Sequence, residues 1–534
     1  MSKRWVLLMR RLSWVRVPAR GGMSATSLAG RPWRSNHPTG IFCITYITLI
    51  DPFMTVQSGT TGFTGRSREL GMLRRALDGA QASLLLVAGL PGVGKTRLVR
   101  RAAADYPSVY HRAPPLPEPR QREALARSIV DALGPSAPSG SMSGGSGADG
   151  ASAATPSWEE LFATLPASAP EGRPLVLVVD DAHRWDGSRA RFRAALGAML
   201  SRARRDARAV HVVLVSPEIP SDAVPGETPA LELMLHPLPF RAAAALLPGE
   251  TPQERLRAWA VFGGFPANLV HVDPSASLGA NLRRLVLSAE GPLADAPLAL
   301  LERTFQNPTR YVAILAALAG GEGDWSMVQA GVPDLSASGQ AAPYLKRLEE
   351  VGLVEARRSL DASPAARNRR YRIRDPFTAF WFRFVLPHRH RRGEGTADAL
   401  HADVVRPGLD AHASTLFPEA CRDFMTHDAM EVLGANAREC GSLWGPGYDI
   451  PVAGTLGTGA PFYGTPVPPD AHAGSPALRA LDAQVRETRY GFGRERRLRL
   501  LFTRSEAPSA LQREAARRHD VAVVGLDAVA GVGG

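Results

Sequence analysis

Apolar positions along this chain follow different periods in different regions. Apolar runs at residues 84–88 and 175–179 are unbroken, and a third at 209–215 is interrupted only by His211, so none has a polar face. They predict strands covered on both sides, as a parallel sheet requires. A shorter strand is predicted near 108–110, and helical spacing fits 121–133 and 158–165. Strands alternating with helices predict an α/β fold built on a parallel sheet. Beyond residue 300 the pattern changes. Helical blocks at 311–318, 325–330 and 342–351, the last with Tyr344, Leu345, Leu348 and Val351 on one face, precede short strands at 353–356 and 370–373. Residues 375–387 are too aromatic for an exposed helix and predict a segment packed between domains. The final block reads as a strand at 497–503, a helix at 509–518 and a strand at 521–524.

Two stretches follow no period. Residues 134–157 are rich in Gly, Ser, Ala and Pro and predict a flexible surface insertion. Residues 1–57 are Arg- and Trp-rich, and their one apolar run, 41–50, is too short to span a bilayer. This segment is expected to lie outside the fold, with Met54 as the working start, and no membrane association is expected. It also holds eight Lys and Arg residues against Asp51 alone, so most of the formal net charge of +12 resides there. The rest is only mildly basic, which makes overall charge a weak argument for nucleic acid. Three cysteines, Cys43, Cys421 and Cys440, lack metal-ligand spacing and fit a reducing cytoplasm.

The chemistry begins where the first apolar run ends. Gly89, four residues, then Gly94, Lys95 and Thr96 lead into a helix. This is the phosphate-binding loop in its required strand–loop–helix context. Gly89, Gly92 and Gly94 let the backbone curl into a cradle of amides, with Pro91 and Val93 between them and Arg97 in the first helical turn. The helix N-terminus favours anions there. Lys95 is expected to reach the β- and γ-phosphates and Thr96 to hold Mg²⁺. The run at 175–179 ends in Asp180-Asp181, at the strand end where open α/β sheets bind ligands. Asp180 is expected to bind Mg²⁺ through water and Asp181 to polarise the attacking water. His183 reads equally as a polar strand-end residue or a catalytic one.

Phe63-Thr-Gly-Arg-Ser-Arg-Glu-Leu70, a helix and then the phosphate loop resemble the opening of the archaeal-type ATPases, in the STAND branch related to AAA+ proteins. The resemblance implies ATP as the nucleotide and places Gly65 and Arg66 beside the base. It makes Ser216, at the end of the third long run, a sensor facing the γ-phosphate. It also implies a small helical lid, entered near Pro237-Leu238-Pro239-Phe240, whose Gly263-Gly264-Phe265-Pro266 turn brings Gly264 and Pro266 near the nucleotide. Two positions depart from the family: Asp181 stands where Glu is usual, implying slow hydrolysis, and Glu227 follows Gly226 where an arginine is common.

Three helices and a hairpin at 308–374 form a winged helix. Its cations, Lys346, Arg347, Arg357, Arg358, Arg367, Arg369, Arg370 and Arg372, suggest a phosphate-contact footprint for double-stranded DNA, although such modules also pack against protein. Residues 375–387 resemble the entry to the C-terminal domain that accompanies these ATPases, a PD-(D/E)xK nuclease-like fold. Glu419 and Asp449 match two acids of that site. Thr465-Pro466-Val467 follows Gly464 where the family has Glu-Cys-Lys, so the nuclease chemistry is expected to be lost.

The expected order is an extension (1–57), an ATPase core (58–240), a helical lid (241–300), a winged helix (301–375), an aromatic helix and basic linker (376–410) and a degenerate nuclease-like tail (411–534). The function implied is a Mg²⁺-dependent, slowly hydrolysing ATP switch coupled to the winged helix, with a protein partner or homo-oligomer as further expectations. The alternatives are a DNA-binding regulator with structural ATP and a nuclease effector.

Overall fold

In the computed structural model the described residues are 65–531, apart from 135–154, 221–222, 333–339, 364–365, 367, 394, 469–474 and 495. The N-terminal extension, nearly all of the predicted insertion, and Cys43 and Arg367 fall outside them. Within the described residues no helix is long and apolar enough to cross a membrane.

Five parallel strands form the core sheet, in the order β2-β3-β4-β1-β5: β1 (Ser83–Gly89), β2 (Ser108–Arg112), β3 (Leu175–Asp180), β4 (Val210–Ser216) and β5 (Leu231–Leu235). Every residue of β3, and all but one of β1 and of β4, is buried, as their largely apolar composition requires; the polar residues among the buried ones are His211 in β4 and Asp180 at the end of β3. Helices cover both faces: α1 (Ser67–Leu77), α2 (Lys95–Ala103), α3 (Glu118–Leu133), α4 (Trp158–Ser168) and α5 (Arg189–Arg205). Helix α4 starts on a reciprocal cap, in which the Glu160 amide donates to Ser157 and the Ser157 amide donates to Glu160. On one face Trp158, Phe162, Trp185 and Phe192 pack ring to ring. The edge strand β5 was not predicted.

The lid follows. Helix α6 (Phe240–Ala244) leads to α7 (Pro252–Phe262), which ends at Gly263 in a left-handed conformation, φ +66°. A Cβ at Gly263 would meet the Asp375 carboxylate at 2.3 Å, and one at Gly264 would lie 2.0 Å from the Leu238 carbonyl oxygen. The turn therefore closes only with glycine at both positions. Helix α8 (Pro266–Leu269) comes next.

The segment expected to be a winged helix has α9 (Thr309–Leu318), α10 (Trp325–Gly331) and α11 (Ala342–Glu350). Its sheet has three strands rather than two: β6 (Gly323–Asp324) joins the hairpin of β7 (Val354–Arg357) and β8 (Arg370–Ile373). Helix α12 (Pro376–Phe380) and the wider π-type turn after it bury Phe377, Phe380, Trp381, Phe382 and Phe384, as their aromatic content predicts. The Asp375 carboxylate caps this helix by accepting from the Thr378 amide, and its other oxygen accepts from the Gly264 amide. The basic stretch after it is not a solvated linker throughout. The side chain of Arg392 is 5% exposed, donating to the Ala294 carbonyl and pairing with Asp295 at 2.6 Å.

The tail carries α13 (Arg406–His427), then β9 (Ala437–Gly445), β10 (Tyr448–Leu456) and β11 (Pro461–Pro466), then α14 (Ser475–Glu487), β12 (Leu498–Thr503), α15 (Ser509–Arg517) and β13 (Val521–Gly525). The strand order is β13-β12-β11-β10-β9, antiparallel on the β9–β11 side and parallel on the β11–β13 side.

Candidate nucleotide site and its flanks

The glycine-lined loop links β1 to α2. Gly89, Gly92 and Gly94 have φ of +145°, +85° and +98°. A Cβ at Gly89 would lie 2.5 Å from the Leu235 carbonyl, so the loop's first residue needs glycine for space as well as conformation. Lys95 opens α2 and folds back, its Nζ donating to the carbonyls of Gly89 (2.6 Å) and Leu90 (3.1 Å). Burial lowers its pKa to about 8, although Asp180 and Asp181 oppose that shift. The ammonium is therefore short of negative charge where it sits.

The parallel register of β1, β4 and β3 brings the loop and the two acids to one sheet edge. Thr96 Oγ1 donates to Asp180 Oδ2 at 2.6 Å, and Tyr110, from β2, donates to the same oxygen at 2.6 Å. Asp180 is buried and its Oδ1 accepts from the Asp181 amide. Asp181 leaves the strand with φ +56°, an uncommon value outside glycine that short polar side chains tolerate best. Its carboxylate accepts from Arg112 Nε at 2.9 Å and pairs with Arg184 at 3.4 Å. Burial, then the Asp180 hydrogen bond, raises the Tyr110 pKa, keeping the phenol a donor. Tyr110 and Arg112 were missed by sequence reasoning. They come from the end of β2, where Arg112 lies in register with Asp180.

The other candidates are placed as follows. Arg66 is buried and donates to the carbonyls of Val93, in the loop, and His236, after β5. Its guanidinium thus ties the loop to the lid entry, while Gly65 packs against Ala242 and Leu238. The lid turn meets the loop directly: the Ala267 amide donates to the Gly92 carbonyl at 3.2 Å, and Pro266 packs beside Gly94. Arg97 is exposed in the first turn of α2. Ser216 Oγ donates to the Glu218 carbonyl, and the Gly89 amide donates to the Pro217 carbonyl at 3.1 Å. Pro91, His183 and Ser216 line a cleft of about 790 Å³ that also receives Arg303 and Arg347 from beyond the lid.

Thr96 and Asp180 offer two adjacent oxygen donors, which suits Mg²⁺, an ion that keeps waters and shares phosphate oxygens rather than occupying an all-protein cage. No group of three or more His, Cys, Asp or Glu able to hold a metal occurs among the described residues.

The cations of the expected winged helix are arranged differently from a free phosphate-contact surface. Lys346, Arg347, Arg357, Arg369, Arg370 and Arg372 each lie within 4.0 Å of a carboxylate. Arg357 and Arg372 are about one-tenth exposed and converge with Arg422 on Glu355 and Glu419. Arg370 pairs with Asp449 at 3.0 Å and stacks over Trp444. Glu419 and Asp449 are thus held by arginines of the wing.

Residues 62–215 match the family model of the AAA ATPase domain, and the chain carries that domain. An uncharacterized protein of Methanocaldococcus jannaschii is 27% identical over 156 residues, or 28% of this chain and 34% of the relative. The aligned part thus spans about a third of that relative's length. Among solved structures, the Walker-type ATPase of Pyrococcus abyssi is 21% identical, with a TM-score of 0.44 over 60% of this chain and 95% of that one. Cdc6p of Pyrobaculum aerophilum is 15% identical, with a TM-score of 0.26 over 59% and 92%. A STAND protein with a tetratricopeptide-repeat sensor from Pyrococcus horikoshii is 14% identical, with a TM-score of 0.28 over 69% and 51%.

Proposed function

We propose that this protein binds ATP with Mg²⁺ and hydrolyses it slowly, as a switch between the core–lid pair and the winged helix. The observation that carries this reading is the convergence of the Lys95 ammonium with the Thr96–Asp180 pair at the ends of β1 and β3. Lys95, now satisfied by two loop carbonyls, turns to the β- and γ-phosphates. Thr96 and Asp180 would hold the metal, Asp180 through water; such an ion would supply positive charge at the phosphate oxygens. Asp181 accepts a hydrogen bond from the attacking water and orients it. Arg112 competes with that water for the same carboxylate, which suits slow turnover.

The winged helix acts here as a packing module. Its cations face acids of the core and tail, which leaves a weak surface for DNA phosphates. The tail is read as a nuclease-like fold without nuclease chemistry: Thr465 and Pro466 stand at the end of β11, and Glu419 is enclosed by three arginines. The test is isothermal calorimetry with ATP and Mg²⁺. Lys95→Ala is expected to abolish binding seen with the native chain, and unchanged affinity would remove the site assignment.

A further inference from the structure

One ion pair joins the winged helix to the turn beside the phosphate loop. Arg347, in the third helix α11, grips both carboxylate oxygens of Glu218. Glu218 lies two residues beyond Ser216, and the same turn accepts a hydrogen bond from the Gly89 amide through the Pro217 carbonyl. The first residue of the loop is therefore one short turn from the guanidinium of another domain. Arg347 and Glu218 also line the cleft that Pro91 and Ser216 border.

The pair is poised to exchange. Arg347 and Glu218 are each about one-third exposed, so separating them leaves no charge stranded in an apolar interior. A planar guanidinium fork fits a phosphate as well as a carboxylate. A terminal phosphate entering from the loop side brings more charge than Glu218 offers.

We infer that Arg347 is the residue that distinguishes triphosphate from diphosphate, leaving Glu218 for the terminal phosphate and carrying α11 with it. The inference rests on the ATP-binding reading and names the group by which the bound state reaches the winged helix. In the diphosphate state the Glu218 pair persists; in the triphosphate state it opens.

The experiment measures affinities of the full chain for ATPγS and ADP, each with Mg²⁺, by calorimetry. Arg347→Ala is expected to weaken ATPγS by about tenfold or more while leaving ADP within about twofold. Glu218→Gln is expected to move the ratio the other way, since of the two carboxylates that hold Arg347 it removes the bidentate one and leaves only Glu350, on its own helix, at 3.3 Å. A purely structural pair would instead make both variants shift in the same direction, or shift both nucleotides equally, and either result overturns the inference. If Arg347→Ala does not fold, the sign of the Glu218→Gln effect decides. Loss of nucleotide binding by the native chain would instead overturn the ATP reading itself.

Discussion

Replacing Glu419 by Gln separates two accounts of the tail. As part of a metal site, this carboxylate would contribute to divalent-ion binding and little to stability. The structure gives it another task. It accepts from Arg357, pairs with Arg372 at 3.0 Å and with Arg422 at 2.8 Å. The three arginines are each about one-tenth exposed, and Glu355 and Glu322 are the other acids paired with them. With Glu419 the cluster is neutral; with Gln it holds one excess, poorly hydrated positive charge. Removing one partner of a fully buried pair costs about 3–5 kcal/mol, and a surface pair about 0–1 kcal/mol. Glu419 is 24% exposed, so about 2–3 kcal/mol is expected from these limits. The pH dependence follows from the sign of the shifts. Burial would raise the pKa of both acids, yet the arginines hold Glu419 well below its ordinary value and Glu355 at about 2. Their stabilisation is complete above about 4.5 and is lost as pH falls below it, toward about 2 for Glu355. Urea unfolding at neutral pH and in mild acid, with and without Mg²⁺, reads all of this. Asp449→Asn, whose carboxylate is 59% exposed, serves as a control expected to cost under about 1 kcal/mol. A Glu419→Gln midpoint equal to the native one, or a Mg²⁺-dependent stabilisation lost in the variant, would refute the reasoning.

Two further predictions concern the loop and the lid. Free Lys95 titrates near 8, and an anionic triphosphate favours its ammonium form, so ATP binding near pH 8–9 should take up a proton and affinity should fall as pH rises further. Calorimetry in buffers of different ionisation enthalpy measures this uptake, and its absence would contradict the placement of Lys95 at the phosphates. Gly264→Ala sets a methyl 2.0 Å from the Leu238 carbonyl, so the lid turn must move; a loss of about 1–3 kcal/mol and weaker ATP binding are expected from thermal unfolding and titration.

What the sequence revealed followed the range of the interactions involved. The phosphate loop and the Asp-Asp strand end are local patterns, and the buried strands announce themselves by nearly continuous apolar runs, broken only by His211 in β4. Strand β5 was hidden because Glu232 interrupts its leucines, as a less covered edge strand allows. Tyr110 was invisible because its partner Asp180 is 70 residues away and is supplied by strand register. The wing cations looked free for the same reason. Glu419 lies 62 residues after Arg357, Asp449 lies 79 after Arg370, and Glu218 lies 129 before Arg347. Composition locates charges but not the acids that meet them.

Asp375 sets a limit on how this molecule can be divided. Its two oxygens clasp the amide that begins the aromatic helix and the amide of Gly264, whose turn leans on the phosphate loop through Ala267. A fragment ending just before it would keep every residue assigned to ATP, yet lose the counterweight that holds the lid turn in shape. The boundary drawn by sequence and the boundary drawn by mechanics therefore differ, and the nucleotide-handling part of this protein extends through its aromatic belt.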